Sequence, residues 1–72
     1  MAIMQIFLIA GRSDAQKAHL IAALTDAAVT ALGVEPDAVC VIIKDVPNTD
    51  FGLAGKTAES LGRGIGRLAM QS

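Results

Sequence analysis

The chain has few of the residues that cross-link a small protein or hold a metal. Its 72 residues include one Cys, one His, two Phe and no Trp or Tyr. A single Cys excludes a disulfide within the chain, and one Cys with one His cannot complete a four-ligand zinc site. A domain this short therefore has to be stabilised without those devices. We expect neither a metal nor a cofactor.

Charge and long hydrophobic runs are also scarce. Six Lys and Arg stand against seven Asp and Glu, which gives a net charge of −1. No basic field is present to bind nucleic acid, and Phe7 and Phe51 form no stacking platform. The apolar run over residues 6–10 is too short for a membrane span and lacks the basic start of a signal peptide. With a lone Cys40, these features favour a cytoplasmic protein with no nucleic-acid or membrane partner.

Hydrophobic residues, in contrast, are abundant. They make up 53% of the chain, and the mean hydropathy is +0.53. One small core cannot bury that much apolar surface, so burial between subunits is the expected remedy. We predict a single domain over residues 1–72 that forms an obligate oligomer.

A strand followed by a long helix is predicted for the first half of the chain. Residues 2–10 are apolar on both alternating faces, which is typical of a strand covered on both sides. Ser13 and Gln16 have the spacing of a capping box, so a helix is predicted over residues 14–32, with Gly33 as its C-terminal cap. The predicted buried face comprises Leu20, Ile21, Leu24, Ala28, Ala31 and Leu32; His19, Asp26 and Thr30 point away from it.

A second buried strand is predicted over residues 39–43, fraying into Lys44 and Asp45, after a loop over residues 34–37 that contains Pro36. Strand, helix and strand form a βαβ unit with parallel strands, and pairing with a second copy would extend the two strands to four. Residues 48–55 are interpreted as loop and residues 56–61 as a short helical turn. The glycine-rich tail over residues 62–67 is expected to pack on neighbouring subunits or to fray.

Three segments together resemble the 4-oxalocrotonate tautomerase family. They are QIFLIAGRSDAQK at residues 5–17, VCVIIKDVP at 39–47 and NTDFGLAG at 48–55. The resemblance implies an α+β fold of the tautomerase/MIF-like type: a βαβ subunit with parallel strands whose dimer forms a four-stranded sheet flanked by two helices. It also implies a hexamer built as a trimer of dimers, with active sites at subunit contacts.

The resemblance further implies a set of site residues. Family members use an N-terminal proline amine as general base, two arginines that bind substrate oxygens, and a phenylalanine wall. Here Arg12 and Phe51 match the first arginine and the aromatic residue. Ala2 stands in place of the proline, and Cys40 in place of the second arginine, whose bidentate fork a thiol cannot reproduce.

Several residues have two interpretations. The Ala2 amine acts as a weaker base if Met1 is removed, or it takes no part. Cys40 is a nucleophile or a small buried hydrophobe, and the sequence around it offers nothing to activate a thiol. Arg12 binds a carboxylate or is solvated, and Phe51 packs at an interface or lines the site. Lys56, Arg63 and Arg67 replace the missing positive charge from a neighbouring subunit's tail or are merely solvated.

Two hypotheses for the function follow. The first is an isomerase that moves a proton in small enol or unsaturated carboxylic acids, with Arg12 orienting the acid. The second is a non-catalytic or partner subunit of a heteromeric assembly, in which a paralogue supplies the proline.

Overall fold

The computed structural model describes residues 1–70. Its first strand and the strand after the helix are neighbours in one parallel sheet, and two later strands form a separate antiparallel hairpin. The predicted βαβ fold and its parallel strands are thereby confirmed. The elements in chain order are β1 (Ala2–Ile9), α1 (Asp14–Leu32), a 3₁₀ turn (Pro36–Ala38), β2 (Val39–Val46), β3 (Gly52–Leu53), β4 (Lys56–Thr57) and α2 (Arg67–Met70).

The chain divides into two compact units, which are described separately. The first unit contains Met1–Ile6 and Ser13–Ile43, and the second contains Phe7–Arg12 with the residues from Lys44 onward. A single domain over residues 1–72 stays a prediction, as does the four-stranded sheet of a dimer. Residues 71 and 72 lie outside the described residues.

Helix α1 begins and ends where its caps predict. The Ser13 Oγ accepts a hydrogen bond from the Gln16 backbone N–H at 3.1 Å, and the Gln16 side-chain Oε1 accepts one from the Ser13 N–H at 3.0 Å. Each bond satisfies a backbone donor that the first helical turn leaves free. Gly33 ends the helix in the left-handed conformation, with a φ of 67°, and its N–H donates to the Val29 carbonyl.

The buried face of α1 is narrower than predicted. Leu20, Leu24 and Ala28 are half-buried as expected, and His19, Asp26 and Thr30 are exposed. Ile21, Ala31 and Leu32, however, are exposed, with Leu32 at 59%. In the single chain these three residues of the apolar face are exposed, because its described residues cover only part of that face; their burial in an oligomer stays a prediction.

Strand β1 is covered on one face only. Its even-numbered residues are half-buried, whereas Ile3 and Phe7 are more than 60% exposed, at 63% and 62%. The single chain thus covers one face of β1, and coverage of the other face in an oligomer stays a prediction. The apolar alternation in the sequence marks both faces as hydrophobic, but it does not reveal whether a layer of the same chain covers each one.

Strand β2 continues three residues beyond its predicted end at Ile43. Lys44 and Asp45 belong to the strand, and beyond them the Val46 carbonyl accepts a hydrogen bond from the Ala10 N–H at 2.8 Å. Polar side chains weaken the strand pattern in the sequence, but the backbone hydrogen bonds of a strand do not depend on them.

The predicted helical turn over residues 56–61 is wrong at its start, because Lys56–Thr57 forms β4 and pairs with β3. The two residues between these strands, Ala54 and Gly55, have φ values of +53° and +83°. Positive φ at both central positions is characteristic of the two-residue hairpin turn that matches strand twist. Two successive turns then follow, in which Leu61 and Gly62 donate to carbonyls three residues earlier.

The core of the single chain is small. Among the described residues, no large side chain is fully buried. The small residues Ala10 and Ala58 are buried, with exposures of 1% and 0%. Apolar residues that remain exposed include Ile3, Phe7, Ile42 and Leu32. This imbalance is what the composition predicts for a subunit that buries its surface against other chains.

Candidate functional site

An open cleft lies in the second unit, where the chain leaves β1. Its volume is about 470 Å³, and among residues 1–70 its charged lining residues are Arg12 and Arg63. That volume is within the usual range for small-molecule sites. The cleft follows the carboxyl end of a strand, which is where ligands bind in open parallel α/β sheets. The remaining lining residues are small or apolar: Ile9, Ala10, Gly11 and Gly64.

Both arginines in the cleft are available to a ligand. Each is exposed, and within residues 1–70 neither guanidinium group forms an ion pair or a side-chain hydrogen bond. Arg67, by comparison, is occupied by an ion pair with Asp50. A planar guanidinium presents donors in a fixed fork that matches a carboxylate. The cleft thus presents two guanidinium groups with no ion-pair partner among residues 1–70.

Close backbone packing holds the wall that carries Arg63. Ile65 donates its N–H to the Ala10 carbonyl at 2.9 Å, which ties the segment to the end of β1. Gly64 has a φ of +70°, and a Cβ at that position would lie 2.1 Å from the Ile9 Cγ2 and 2.9 Å from the Ala10 carbonyl oxygen. Only glycine fits so near the strand. The tail therefore packs against its own chain at this point.

Asn48 joins the same wall to the loop after β2. It is 8% exposed, and its side-chain Nδ2 donates to the Arg63 carbonyl at 3.1 Å. Its backbone N–H donates to the Ile65 carbonyl, and its own carbonyl accepts from the Glu59 N–H, both at 3.0 Å. Two of these hydrogen bonds hold the backbone on both sides of Gly64, and the third holds Glu59.

Phe51, the aromatic candidate, also belongs to the second unit. Its side chain is half-buried, and its carbonyl accepts a hydrogen bond from the Ala58 N–H at 2.7 Å. It is not among the residues that line the cleft. Its role as a site wall stays a prediction.

The two departures from the family pattern lie in the first unit. Ala2 is the first residue of β1, and Cys40 is the second residue of β2; both are half-buried. The Cys40 thiol is free. A half-buried thiol on a strand is typical of a small packing residue. Catalysis by the Ala2 amine and a binding role at position 40 are not tested by this geometry.

Other candidate groups are less informative. His19 is exposed on α1, and Lys56 is exposed on β4. No group of three or more His, Cys, Asp or Glu side chains within residues 1–70 is arranged to hold a metal ion. Over the same residues, no helix is both long enough and apolar enough to cross a membrane.

The sequence did not reveal the structural role of Asn48, and it did not place Arg63 beside Arg12 of the same chain. Asn48 was interpreted only as a loop residue, and Arg63 as one of three cations that a neighbouring chain's tail supplies. The available signal was the alternation of glycine with Arg63 and Ile65, because a glycine between larger residues often marks a close backbone approach. The partner of that approach is distant in sequence and is not visible from the tail itself.

Comparison with known proteins agrees with this geometry. Residues 3–60 match the family model described as tautomerase enzyme. The chain is 43% identical over 63 residues to a 2-hydroxymuconate tautomerase from Comamonas testosteroni, an alignment that covers 88% of this chain and all of that protein.

Solved structures show the same relationship. An apo unfused 4-OT superposes with a TM-score of 0.81 at 48% identity, over 83% of this chain and 98% of that one. A heterohexameric 4-oxalocrotonate tautomerase from Chloroflexus aurantiacus gives a TM-score of 0.81 at 38% identity, over 85% and 98%. A βαβ subunit is the type of protein that these solved structures represent. The chain belongs to the tautomerase family, as a protein similar to the 4-oxalocrotonate tautomerases.

Proposed function

We propose that this protein is an isomerase that moves a proton in small enol or unsaturated carboxylic acids. The observation that carries the proposal is Arg12, an unpaired guanidinium that lines a cleft of small-molecule size. The name of the Comamonas testosteroni relative, a 2-hydroxymuconate tautomerase, supports an acid of this class as the substrate.

Arg12 would orient the acid and stabilise charge as the proton moves. Ketonisation of an enol acid passes through a state in which negative charge is shared between oxygen and carbon. A fixed guanidinium near the oxygens lowers the energy of this charged state. A charge-assisted contact of this kind contributes about 1.5–3 kcal/mol.

Ala2 begins β1, whereas Arg12 follows the other end of this eight-residue strand, so the two do not serve one acid within a single chain. Proton transfer is therefore assigned to the Ala2 amine of a neighbouring subunit, exposed by removal of Met1. An ordinary α-amino group has a pKa of about 7.7–8.0, so roughly one tenth to one sixth of it is neutral at pH 7. A neutral amine is the form that accepts a proton. We therefore expect turnover to be slower than with a base whose pKa is matched to pH 7.

Assembly into a hexamer of trimer-of-dimers form is part of the proposal. The single chain leaves Ile3 at 63%, Phe7 at 62% and Leu32 at 59% exposure, which is a large apolar surface for so small a protein. A relative at 38% identity is a heterohexamer, so the hexamer here is proposed with either one or two kinds of chain.

The test is ultraviolet-monitored ketonisation of 2-hydroxymuconate by purified chain whose Met1 removal has been checked by mass spectrometry. We expect turnover above the buffer blank and a loss of roughly 10- to 100-fold in Arg12→Ala. Lys56→Ala removes an exposed cation on β4 and serves as the matched control. Ala2→Pro introduces the residue that the resemblance implies, and we expect it to raise the rate.

Unchanged turnover in Arg12→Ala would refute the assigned role of that residue. Absence of turnover in the wild type, with activity regained only on mixing with a proline-bearing paralogue, would instead identify a partner subunit of a heteromeric assembly.

A further inference from the structure

We propose that residues 63–66 form a strap that opens and closes locally over the end of β1, and that one unpartnered buried oxygen beneath it favours opening. Arg63 and Gly64 belong to the strap and line the cleft beside Arg12, so the protein alternates between a complete and an incomplete cleft. The strap lies beyond residue 60, where the match to the family model ends. The proposal rests on the proposed function in one respect only, because it takes the cleft to be the ligand site.

Hydrogen bonds attach the strap to the rest of the second unit. Ile65 donates its N–H to the Ala10 carbonyl at 2.9 Å, and its carbonyl accepts from the Asn48 N–H at 3.0 Å. The Asn48 side chain donates to the Arg63 carbonyl. A typical intramolecular hydrogen bond shifts a conformational equilibrium by only about 2- to 10-fold.

Apolar burial adds little to this attachment. The strap has one apolar side chain, that of Ile65, which is 37% exposed, and Arg63 and Gly64 are exposed as well. Segments with few buried apolar contacts open locally at a lower free energy than the core does. The strap therefore meets the physical conditions for opening while the paired strands stay closed.

The buried oxygen beneath the strap is the Oδ1 atom of Asn48. The residue is 8% exposed, and this oxygen accepts no hydrogen bond within residues 1–70. A Cβ added at Gly66 would lie 3.5 Å from it, which places the strap backbone directly beside it. A buried acceptor without a partner forgoes the hydrogen bonds of water. Opening of the strap restores them, which offsets part of what the broken bonds cost.

An ion pair just beyond the strap opposes opening. Arg67, the first residue of α2, pairs with Asp50 in the loop after β2. Both side chains are largely exposed, so salt weakens their attraction and the pair contributes little. The closed strap is thus clasped by a weak, salt-sensitive contact.

The experiment follows amide hydrogen exchange by NMR on the assembled protein at a fixed subunit concentration. The N–H groups of Ile65 and Asn48 report the strap, whereas the Ala10 N–H, bonded to the Val46 carbonyl at 2.8 Å, reports strand pairing. The protection factor is the exchange rate of an unstructured amide divided by the measured rate. In wild type we expect similar protection factors for the two strap amides, at least about tenfold below that of Ala10.

Gly66→Ser is the most direct variant. The φ of Gly66 is not in the left-handed region, so a side chain is tolerated there, and a serine hydroxyl can donate to the nearby Asn48 Oδ1. Gly66→Ala adds the same Cβ without the hydroxyl and is the matched control. The protection factors of Ile65 and Asn48 should be about 2- to 10-fold higher in the serine variant than in the alanine variant, with Ala10 unchanged.

Gly64→Ala should hold the strap open. Its Cβ would lie 2.1 Å from the Ile9 Cγ2 and 2.9 Å from the Ala10 carbonyl oxygen, at a φ of +70°. We expect the Ile65 amide to lose protection by about tenfold or more, as when several weak bonds are lost, while the Ala10 amide keeps its protection.

The clasp is tested by charge. Arg67→Gln should lower the protection of the strap amides about threefold at low salt, as an exposed ion pair allows, and added salt should lower it in wild type but not in this variant. Lys56→Gln removes an exposed cation on β4 and should change neither value.

Equal protection of Ile65 and Ala10 in wild type would overturn the proposal, because the strap would then open only with the whole unit. So would equal protection in Gly66→Ser and Gly66→Ala, or a loss at Ala10 that matches the loss at Ile65 in Gly64→Ala. The readout requires no turnover. An inactive protein with the expected exchange refutes the proposed function alone, and an active protein whose strap amides exchange no faster than Ala10 refutes the strap alone.

Discussion

Asn48→Asp is the substitution that most directly tests how the cleft wall is held. Nδ2 lies 3.1 Å from the Arg63 carbonyl oxygen, and that oxygen can only accept a hydrogen bond. The orientation of the amide is therefore determined by its partner. Aspartate has nearly the same shape, but when ionised it places an acceptor against an acceptor.

The expected destabilisation is about 3 kcal/mol at pH 7. The lost hydrogen bond accounts for about 1 kcal/mol. The remainder is the cost of an uncompensated charge at a position that is only 8% exposed. Leaving a buried charge without its partner destabilises proteins by about 3–5 kcal/mol, and we take the lower end for the whole effect. The Oδ1 atom of Asn48 has no hydrogen-bond partner in the described chain, so the second carboxylate oxygen would gain no compensation there.

This destabilisation should depend on pH in a defined direction. Burial raises the pKa of the new carboxyl group above its unfolded value of about 3.9, and 3 kcal/mol corresponds to roughly two pH units. The folded state then binds more protons than the unfolded state, so stability falls as pH rises from about 4 to about 6. Below about pH 4 the protonated group can donate again, and most of the loss should disappear.

The measurement is the free energy of unfolding in urea at several pH values and one fixed subunit concentration, since oligomer stability depends on concentration. Thr49→Asp adds a carboxyl group at the next, exposed position and removes the hydrogen bond that the Thr49 Oγ1 donates to the Asp50 Oδ1, so it should cost no more than about 1 kcal/mol. A loss in Asn48→Asp that is the same at pH 4 and pH 7, or one no larger than in Thr49→Asp, would refute the reasoning.

Two further predictions concern local backbone structure. Ala54→Gly should stabilise the protein by about 0.5–1 kcal/mol, because the steric cost of alanine at a φ of +53° exceeds the extra conformational entropy that glycine loses on folding. An unchanged urea midpoint would contradict this. Ser13→Ala removes the acceptor for the Gln16 N–H and should cost about 1 kcal/mol, whereas the exposed Ala15→Ser in the first turn of α1 should cost much less.

The elements that local chemistry determines were predicted well. Ser13, Gln16 and Gly33 define both ends of α1, because caps act within a few residues of the atoms they satisfy. Resemblance to the family correctly placed Arg12 after β1. These features need no knowledge of distant contacts.

The elements that depend on distant contacts were predicted poorly. The end of β2 is determined by pairing with β1, and Lys56–Thr57 becomes a strand because Gly52–Leu53 pairs with it. The cleft wall depends on Asn48 meeting a segment 15 residues later. Exposure of Ile21 and Leu32 reflects how little of the apolar face the chain can cover by itself.

In the wall beside Arg12, the backbone of residue 63 holds the fold and its side chain lines the cleft. Residue 63 gives the fold only its backbone, through a carbonyl bound by Asn48 and an N–H that donates to the Ala58 carbonyl at 2.9 Å. Its side chain is free to vary without cost to that scaffold. A library randomised at position 63 alone would therefore vary the charge and size of the cleft lining in an unaltered backbone frame.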